Sequence, residues 1–392
     1  MKIVLFGAGR IGRSFIGQLF ARAGFEVVFI DINQQIIDQM NRRGCYDVVI
    51  KKPEGDEVLP VSGVRGINST EIETIADELS VCRIVAVSVG QKGLPYIIPA
   101  LAKGLLLRYK RYGSKPLDII LAENKREAGK YILELLCKEL PNDFPVEEMT
   151  GLIETSIGKM VPIMPLAVQL RDPLLVYAES YNTLILDRKA FKNPIPDVPG
   201  LSPKDHIKAW VDRKACIHNF GHAAAAYRGY RYHPEAKYMF ETLADSAIYE
   251  HTREAMKQSA AILLAKYPDE FTEEALEAHI DDLLSRFANK ALGDTIFRVG
   301  CDLPRKLHRT DRIVSPLLDG IEAGLPVDKI VEVFVDGIRF RATDEDGRLF
   351  PDDEYFVSNL EQKGLPWTLQ HICDIDPNTE VSHLIYSSKY VN

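Results

Sequence analysis

Apolar and polar positions follow two different rhythms along the chain. Through the first 190 or so residues, short apolar runs stand between glycine or polar turns and helix-spaced segments. Residues 2–6, 27–30, 84–88 and 117–122 are such runs, and 13–23 carries helical spacing between the first two. Strand, helix, strand in this order predicts a parallel sheet covered on both faces. Residues 50–64, with "KKPEGDE", predict a small hairpin excursion. Residues 173–187, "PLLVYAESYNTLILD", alternate in part and predict a strand with a polar centre at 179–182. Past residue 204 the period becomes 3.6. Leu276, Ile280, Leu283, Leu284 and Phe287 make one apolar stripe, and a mostly helical region is expected to about 340. Between the two textures lies "NPIPDVPGLSP", 193–203, whose four prolines predict an extended linker. The expected domains are therefore 1–193 and 204–392.

Composition agrees with this division. The 392 residues are 46% hydrophobic and 27% charged, enough for two ordinary cores. A net charge of −8 without long basic runs argues against a nucleic-acid surface. No apolar run approaches the roughly 20 residues of a membrane span, and glycines break the first run where a secretory signal would continue. Six cysteines without metal-ligand spacing suggest reduced thiols, so a cytoplasmic protein without a bound metal is expected. The acidic stretch 344–354 has Tyr355 where a calcium loop would need its last glutamate, and predicts a solvated loop. The oligomeric state is left between a monomer and a small homo-oligomer.

The turn Gly7-Ala8-Gly9-Arg10-Ile11-Gly12 is GxGxxG between an expected strand and an expected helix. The first glycine permits a tight turn, the second lets a pyrophosphate approach the backbone, and the third lets helix and strand pack closely. Asp31 closes the next strand. An acid there accepts bonds from an adenosine ribose and repels an extra phosphate, so NAD rather than NADP is the expected cofactor. Ser88, Val89 and Gly90 follow a further strand and are expected to line the same crevice. The fold class is thus α/β: an N-terminal doubly wound, Rossmann-type sheet domain followed by a mostly α-helical C-terminal domain.

The segment "KACIHNFGH", 214–222, concentrates Lys214, Asn219 and His222. Oxidation of an alcohol by a nicotinamide requires a base for the hydroxyl proton and donors for the alkoxide. A lysine serves as that base if burial lowers its pKa. On an α-helix advancing roughly 100° per residue, Lys214 at 0°, His222 at about 80° and Asn219 at about 140° share one broad face. Gly221 removes a side chain where a ligand could approach. A polar face turned to water, or a histidine bonded in the core, is the competing reading. His218, at about 40°, shares the face and is not excluded by spacing. Zinc is disfavoured, since lysine is no ligand.

On these residues the chain resembles the polyol-specific long-chain dehydrogenases. The likeness runs through "FGAGRIGRSFIG", "VFIDINQ", "AEN" at 122–124, "KNPIPDVPGL", "RFANKALGD", "RVGCDLPRKL" and "DRIVSPLL", with Lys214-x4-Asn219-x2-His222 the most specific part. It implies metal-independent, NAD-linked oxidation of a secondary alcohol. It further implies that Lys214 is the general acid/base, Asn219 and Asn124 hold the oxyanion, and His222 orients the substrate oxygen. His218 lies outside that signature. Where relatives carry Asp-Arg before Val-Pro, this chain has Gly158-Lys159 before Met160-Val161-Pro162, which weakens a bidentate contact. Chain length favours the phosphate-specific branch, implying oxidation of D-mannitol 1-phosphate to D-fructose 6-phosphate. Lys159, Arg305, Lys306, Arg309 and Arg312 are then candidates for the phosphate, a surface or interdomain salt bridge being the alternative for each. Another polyol or sugar-acid oxidoreductase, of mannitol 2-dehydrogenase or hexuronate reductase type, is the second reading. A non-catalytic NAD(H) sensor is the third.

Overall fold

A computed structural model describes residues 1–388; positions 389–392 of the second expected domain lie outside the described residues. The chain forms two compact units, Met1–Trp210 and Val211–Asn392.

The first unit holds eleven strands: β1 (Lys2–Phe6), β2 (Glu26–Asp31), β3 (Cys45–Ile50), β4 (Glu57–Ser62), β5 (Val64–Asn68), β6 (Ile84–Val87), β7 (Leu117–Leu121), β8 (Thr150–Ile157), β9 (Val176–Ala178), β10 (Leu184–Asp187) and β11 (Leu201–Lys204). Eight make one sheet in the order β11-β10-β8-β7-β6-β1-β2-β5. From β5 to β8 all neighbours run parallel, and only the β8–β10 pair is antiparallel. The central strands β1, β6 and β7 are buried along almost their whole length. Such strands read as continuous apolar runs because helices cover both faces. Two apolar clusters fill the spaces on either side, one around Phe15, Phe29 and Tyr46, the other around Leu79, Leu101 and Leu136. The hairpin expected at 50–64 is real but begins earlier, at β3, and pairs antiparallel with β4.

Two expectations are corrected. Residues 173–187 are not one strand. β9 joins β3 in a small second sheet while β10 enters the main sheet, and the polar stretch 179–183 is the crossing between them. Glu179 is buried there and its carboxylate accepts from the Met160 N–H. Nor is 193–203 a free linker. Lys192 and Asn193 donate to the buried Asp118 carboxylate, and Leu201–Lys204 pairs along β10.

The second unit is helical. Its described residues contain no strand, only the isolated bridge Tyr238–Thr295. The stripe Leu276, Ile280, Leu283, Leu284 and Phe287 is the buried face of helix Glu273–Phe287, capped by Thr272. Residues 344–348 form the expected acidic turn, but Pro351 already starts the next helix, so Tyr355 is helical. No described helix is long and apolar enough to cross a membrane.

Candidate active site

In the first unit, the glycine turn shows why each glycine is there. Gly7 has φ +97°, and a Cβ on it would lie 2.4 Å from the Ser88 carbonyl oxygen. A Cβ on Gly12 would lie 2.0 Å from the Gly7 carbonyl oxygen. Both positions are closed by backbone that cannot move aside. Gly9 is different: a Cβ there meets nothing within 4 Å, and the residue is exposed with Arg10. The absent side chain therefore leaves open space above the turn, as a pyrophosphate would require. Ala8 is buried under the turn, and its N–H donates to Asp31 Oδ2 at 2.7 Å. Asp31 Oδ1 accepts from the Asn33 N–H at 2.9 Å. Two amides hold this carboxylate beside the turn, with lone pairs left for further donors.

The ends of β6 and β7 complete the cradle. Ser88 sits against the turn, its hydroxyl 3.3 Å from the carbonyl oxygens of Phe6 and Gly7. Gly90, at φ +78°, donates its N–H to Glu123 Oε1 at 2.9 Å. Burial raises the Glu123 carboxyl above its usual range, against the lowering pull of the Gly90 and Val89 amides. Asn124 follows, exposed, its carbonyl 3.3 Å from Gln91 Nε2. Glu123 was within reach of sequence reading, since it is the acid of "AEN". Arg13 gave no such signal. Its buried guanidinium donates to the Ala8 carbonyl and, 160 positions on, to the Pro173 carbonyl, each at 2.7 Å.

The helix after the turn opens as a π-helix, Gly12–Gly17. Tyr46, wholly buried, donates its hydroxyl to the Arg13 carbonyl at 2.7 Å. The second unit repeats the device. Lys214–Asn219 is a π-helix, between α-helices Ile207–Arg213 and Phe220–Tyr232. The Phe220 N–H reaches back five residues to the Ala215 carbonyl. In such a turn the backbone bond spans five residues instead of four, so each residue advances through a smaller angle. The expected azimuths are thus corrected: Lys214 and Asn219 lie closer to one line than an α-helix allows. Ser259, buried on helix Ser246–Lys266, donates to the Cys216 carbonyl at 2.6 Å and fixes the wide turn from outside. Gly221 is also corrected. A Cβ there would lie 2.4 Å from Met256 Sδ, so this glycine admits a neighbouring helix rather than a ligand.

The electrostatics of this segment are those of bases crowded by cations. Lys214 is half-buried, and its amine is pushed down to about 8 by burial, with Arg312 adding to the effect. His222 is pushed down to about 3 by burial, then by Arg298, Lys306 and Arg312. His218 is buried and lowered well below its ordinary value by burial and by Arg286, and its ring lies 5.7 Å from Phe287. The His222 ring stacks on Phe287 at 4.5 Å and an 8° tilt. Its Nε2 is 3.4 Å from Asp294 Oδ2, and Asp294 in turn pairs with Arg298. Arrangements of this kind suit proton exchange near neutral pH at Lys214 and neutral hydrogen bonding at the histidines.

The proposed phosphate cations are not equivalent. Lys159 is buried in the first unit, donating to the Tyr181 carbonyl at 2.8 Å and the Asn182 side-chain oxygen at 3.1 Å, 5.2 Å above the Phe15 ring. Lys306 is buried in the second unit on the carbonyls of Val299 and Cys301, and is lowered to about 7 by burial and then Arg312. Both are buried beside these oxygen acceptors and not at the surface. Arg305 pairs with Asp302 and, at 3.5 Å, Asp311; Arg312 pairs with Asp311 at 2.7 Å. Arg309 is exposed. Asp294 and Asp311 were not singled out from the sequence. Asp294 lies far along the chain from His222, whereas Asp311 pairs with its chain neighbours Arg305 and Arg312.

Known proteins bear on this geometry. Residues 1–200 match the mannitol dehydrogenase Rossmann domain, and residues 206–368 match the mannitol dehydrogenase C-terminal domain. D-sorbitol dehydrogenase in substrate-free form is similar in structure, with a TM-score of 0.82 at 16% identity over 99% of this chain and 91% of that one. Mannitol 2-dehydrogenase of Pseudomonas fluorescens, in its ternary complex with NAD and D-mannitol, has a TM-score of 0.75 at 17% identity, over 98% and 90% of the two chains. At such identities these likenesses speak for the fold.

Proposed function

Because the chain belongs to the mannitol dehydrogenase family, we propose that it is an NAD-dependent polyol oxidoreductase in which Lys214 is the general acid/base. The observation that carries this reading is the Lys214 amine, lowered to about 8 inside a wide helical turn. NAD, when bound, would supply the acceptor for the hydride of the carbinol carbon. The open space over Gly9 and the carboxylate of Asp31 fit its pyrophosphate and adenosine ribose.

The chain's own groups do the rest. In oxidation, neutral Lys214 takes the hydroxyl proton as the C–H bond breaks. Asn219 and Asn124 donate to the oxygen while it carries negative charge, and His222 orients the substrate. In reduction the protonated lysine returns the proton.

The substrate is a hexitol phosphate in this proposal, D-mannitol 1-phosphate giving D-fructose 6-phosphate, as in mannitol-1-phosphate 5-dehydrogenase. Arg309 and the Arg305–Asp311–Arg312 group support the phosphate. A free polyol is the second reading, favoured by the internal pairing of Lys159 and Lys306. Assays of NADH oxidation with fructose 6-phosphate and fructose separate the two. Loss of a few charge-assisted bonds at ~1.5–3 kcal/mol each makes fructose poorer by orders of magnitude if the phosphate is read. Comparable efficiencies favour the free polyol, and no turnover of any ketose with NADH rejects the oxidoreductase reading.

A further inference from the structure

His222 Nε2 and Asp294 Oδ2 are both sealed from solvent and neither has a hydrogen-bond partner, yet they lie 3.4 Å apart. Each is held where it is by something else. The imidazole plane is fixed by its stack on Phe287. The carboxylate is fixed by the ion pair of its other oxygen with Arg298. A buried polar atom without a partner is costly, and catalytic contacts that are long in a free enzyme tighten in its complexes. A neutral imidazole has one N–H and one lone pair, while an ionised carboxylate has only lone pairs. Only a proton on Nε2 satisfies both atoms. A proton on Nδ1 would set lone pair against lone pair.

We propose that Asp294 is a positioning residue that locks His222 in its Nε2–H form, leaving Nδ1 as a bare acceptor toward the substrate. The inference rests on the reading that His222 meets the substrate. Burial and the cations Arg298, Lys306 and Arg312 keep the ring neutral at physiological pH, so the choice of nitrogen persists. The consequence is chemical. A bare Nδ1 accepts from a hydroxyl and gives nothing to a carbonyl oxygen. In the ketone state His222 therefore has no bond to the reacting oxygen, and the group it reads in both redox states is a hydroxyl on a neighbouring carbon. The site is thereby built for vicinal polyols and hydroxyketones rather than isolated secondary alcohols.

The test is the ring ¹⁵N spectrum of histidine-labelled full-length protein, since protonated and bare ring nitrogens differ widely in shift; His222→Asn assigns the signal. The expected result is a proton on Nε2 of His222. In Asp294→Asn, the amide donates instead, and the proton should move to Nδ1. kcat/KM with the ketose should then fall about 10–100-fold, as when an orienting partner of a site histidine is lost. The NADH dissociation constant should stay unchanged. A proton on Nδ1 in the parent, or on Nε2 in a folded Asp294→Asn, overturns the inference. If that variant does not fold, the parent spectrum decides alone. The spectrum needs no turnover, so it fails or succeeds independently of the oxidoreductase reading.

Discussion

The Ala8 N–H donates to Asp31 Oδ2 at 2.7 Å, so the residue that closes the second strand is bonded to the turn opening the first helix. Its carboxylate is thereby set where an adenosine ribose would lie in this fold. Asp31→Ser should lower the preference for NAD over NADP by at least about tenfold in kcat/KM, equivalent to ~1.4 kcal/mol, chiefly through affinity. Steady-state kinetics with both cofactors checks it. Equal efficiencies in the parent would contradict the role of Asp31.

Gly9 and Gly12 separate folding from binding. A Cβ on Gly9 meets no protein atom, whereas one on Gly12 strikes the Gly7 carbonyl. Gly9→Ala should melt within a degree or two of the parent yet bind NADH more weakly. Gly12→Ala should lose roughly 1–3 kcal/mol of stability through overpacking. Thermal melts and NADH fluorescence titrations distinguish the two outcomes.

Burial lowers the Lys214 amine first, and Arg312 lowers it further. Only the neutral amine accepts a proton, so oxidation should rise with pH through about 8, and reduction should fall through the same region. The nearby guanidinium disfavours the ammonium. Removing it in Arg312→Gln lets the amine hold its proton to higher pH, so the oxidation midpoint should move up. Arg312→Lys should restore it. A Gln profile superposed on the parent's would contradict the coupling.

Ser259 supports the wide turn through its 2.6 Å bond to the Cys216 carbonyl. Ser259→Ala removes that buried bond, at about 0.5–1.5 kcal/mol. kcat should drop several-fold while the NADH dissociation constant holds, because the turn carries both Lys214 and Asn219. Stopped-flow turnover beside a binding titration measures both.

What the sequence disclosed depends on how local the physics is. The GxGxxG turn is legible because the chemistry of each glycine is complete within six residues. The stripe 276–287 is legible because helical burial repeats every turn. Residues 173–187 mislead because apolar alternation continues on both sides of the buried Glu179, hiding a change of sheet. The π-turns are invisible because hydrogen-bond register leaves no trace in composition. What fixes them, Tyr46 on Arg13 and Ser259 on Cys216, comes from other elements. Asp294 and Arg312 matter through residues remote in the chain, which no spacing rule connects.

The central claim is that Lys214 moves the substrate proton. It is tested most directly by turnover of Lys214→Ala, shown to be folded and to bind NADH with unchanged affinity. Positioned acid–base catalysis contributes typically ~10²–10⁴-fold, so the variant should lose at least about a hundredfold, with partial recovery on adding small primary amines. Turnover within about threefold of the parent would show that Lys214 has only a structural role and that the proton travels elsewhere.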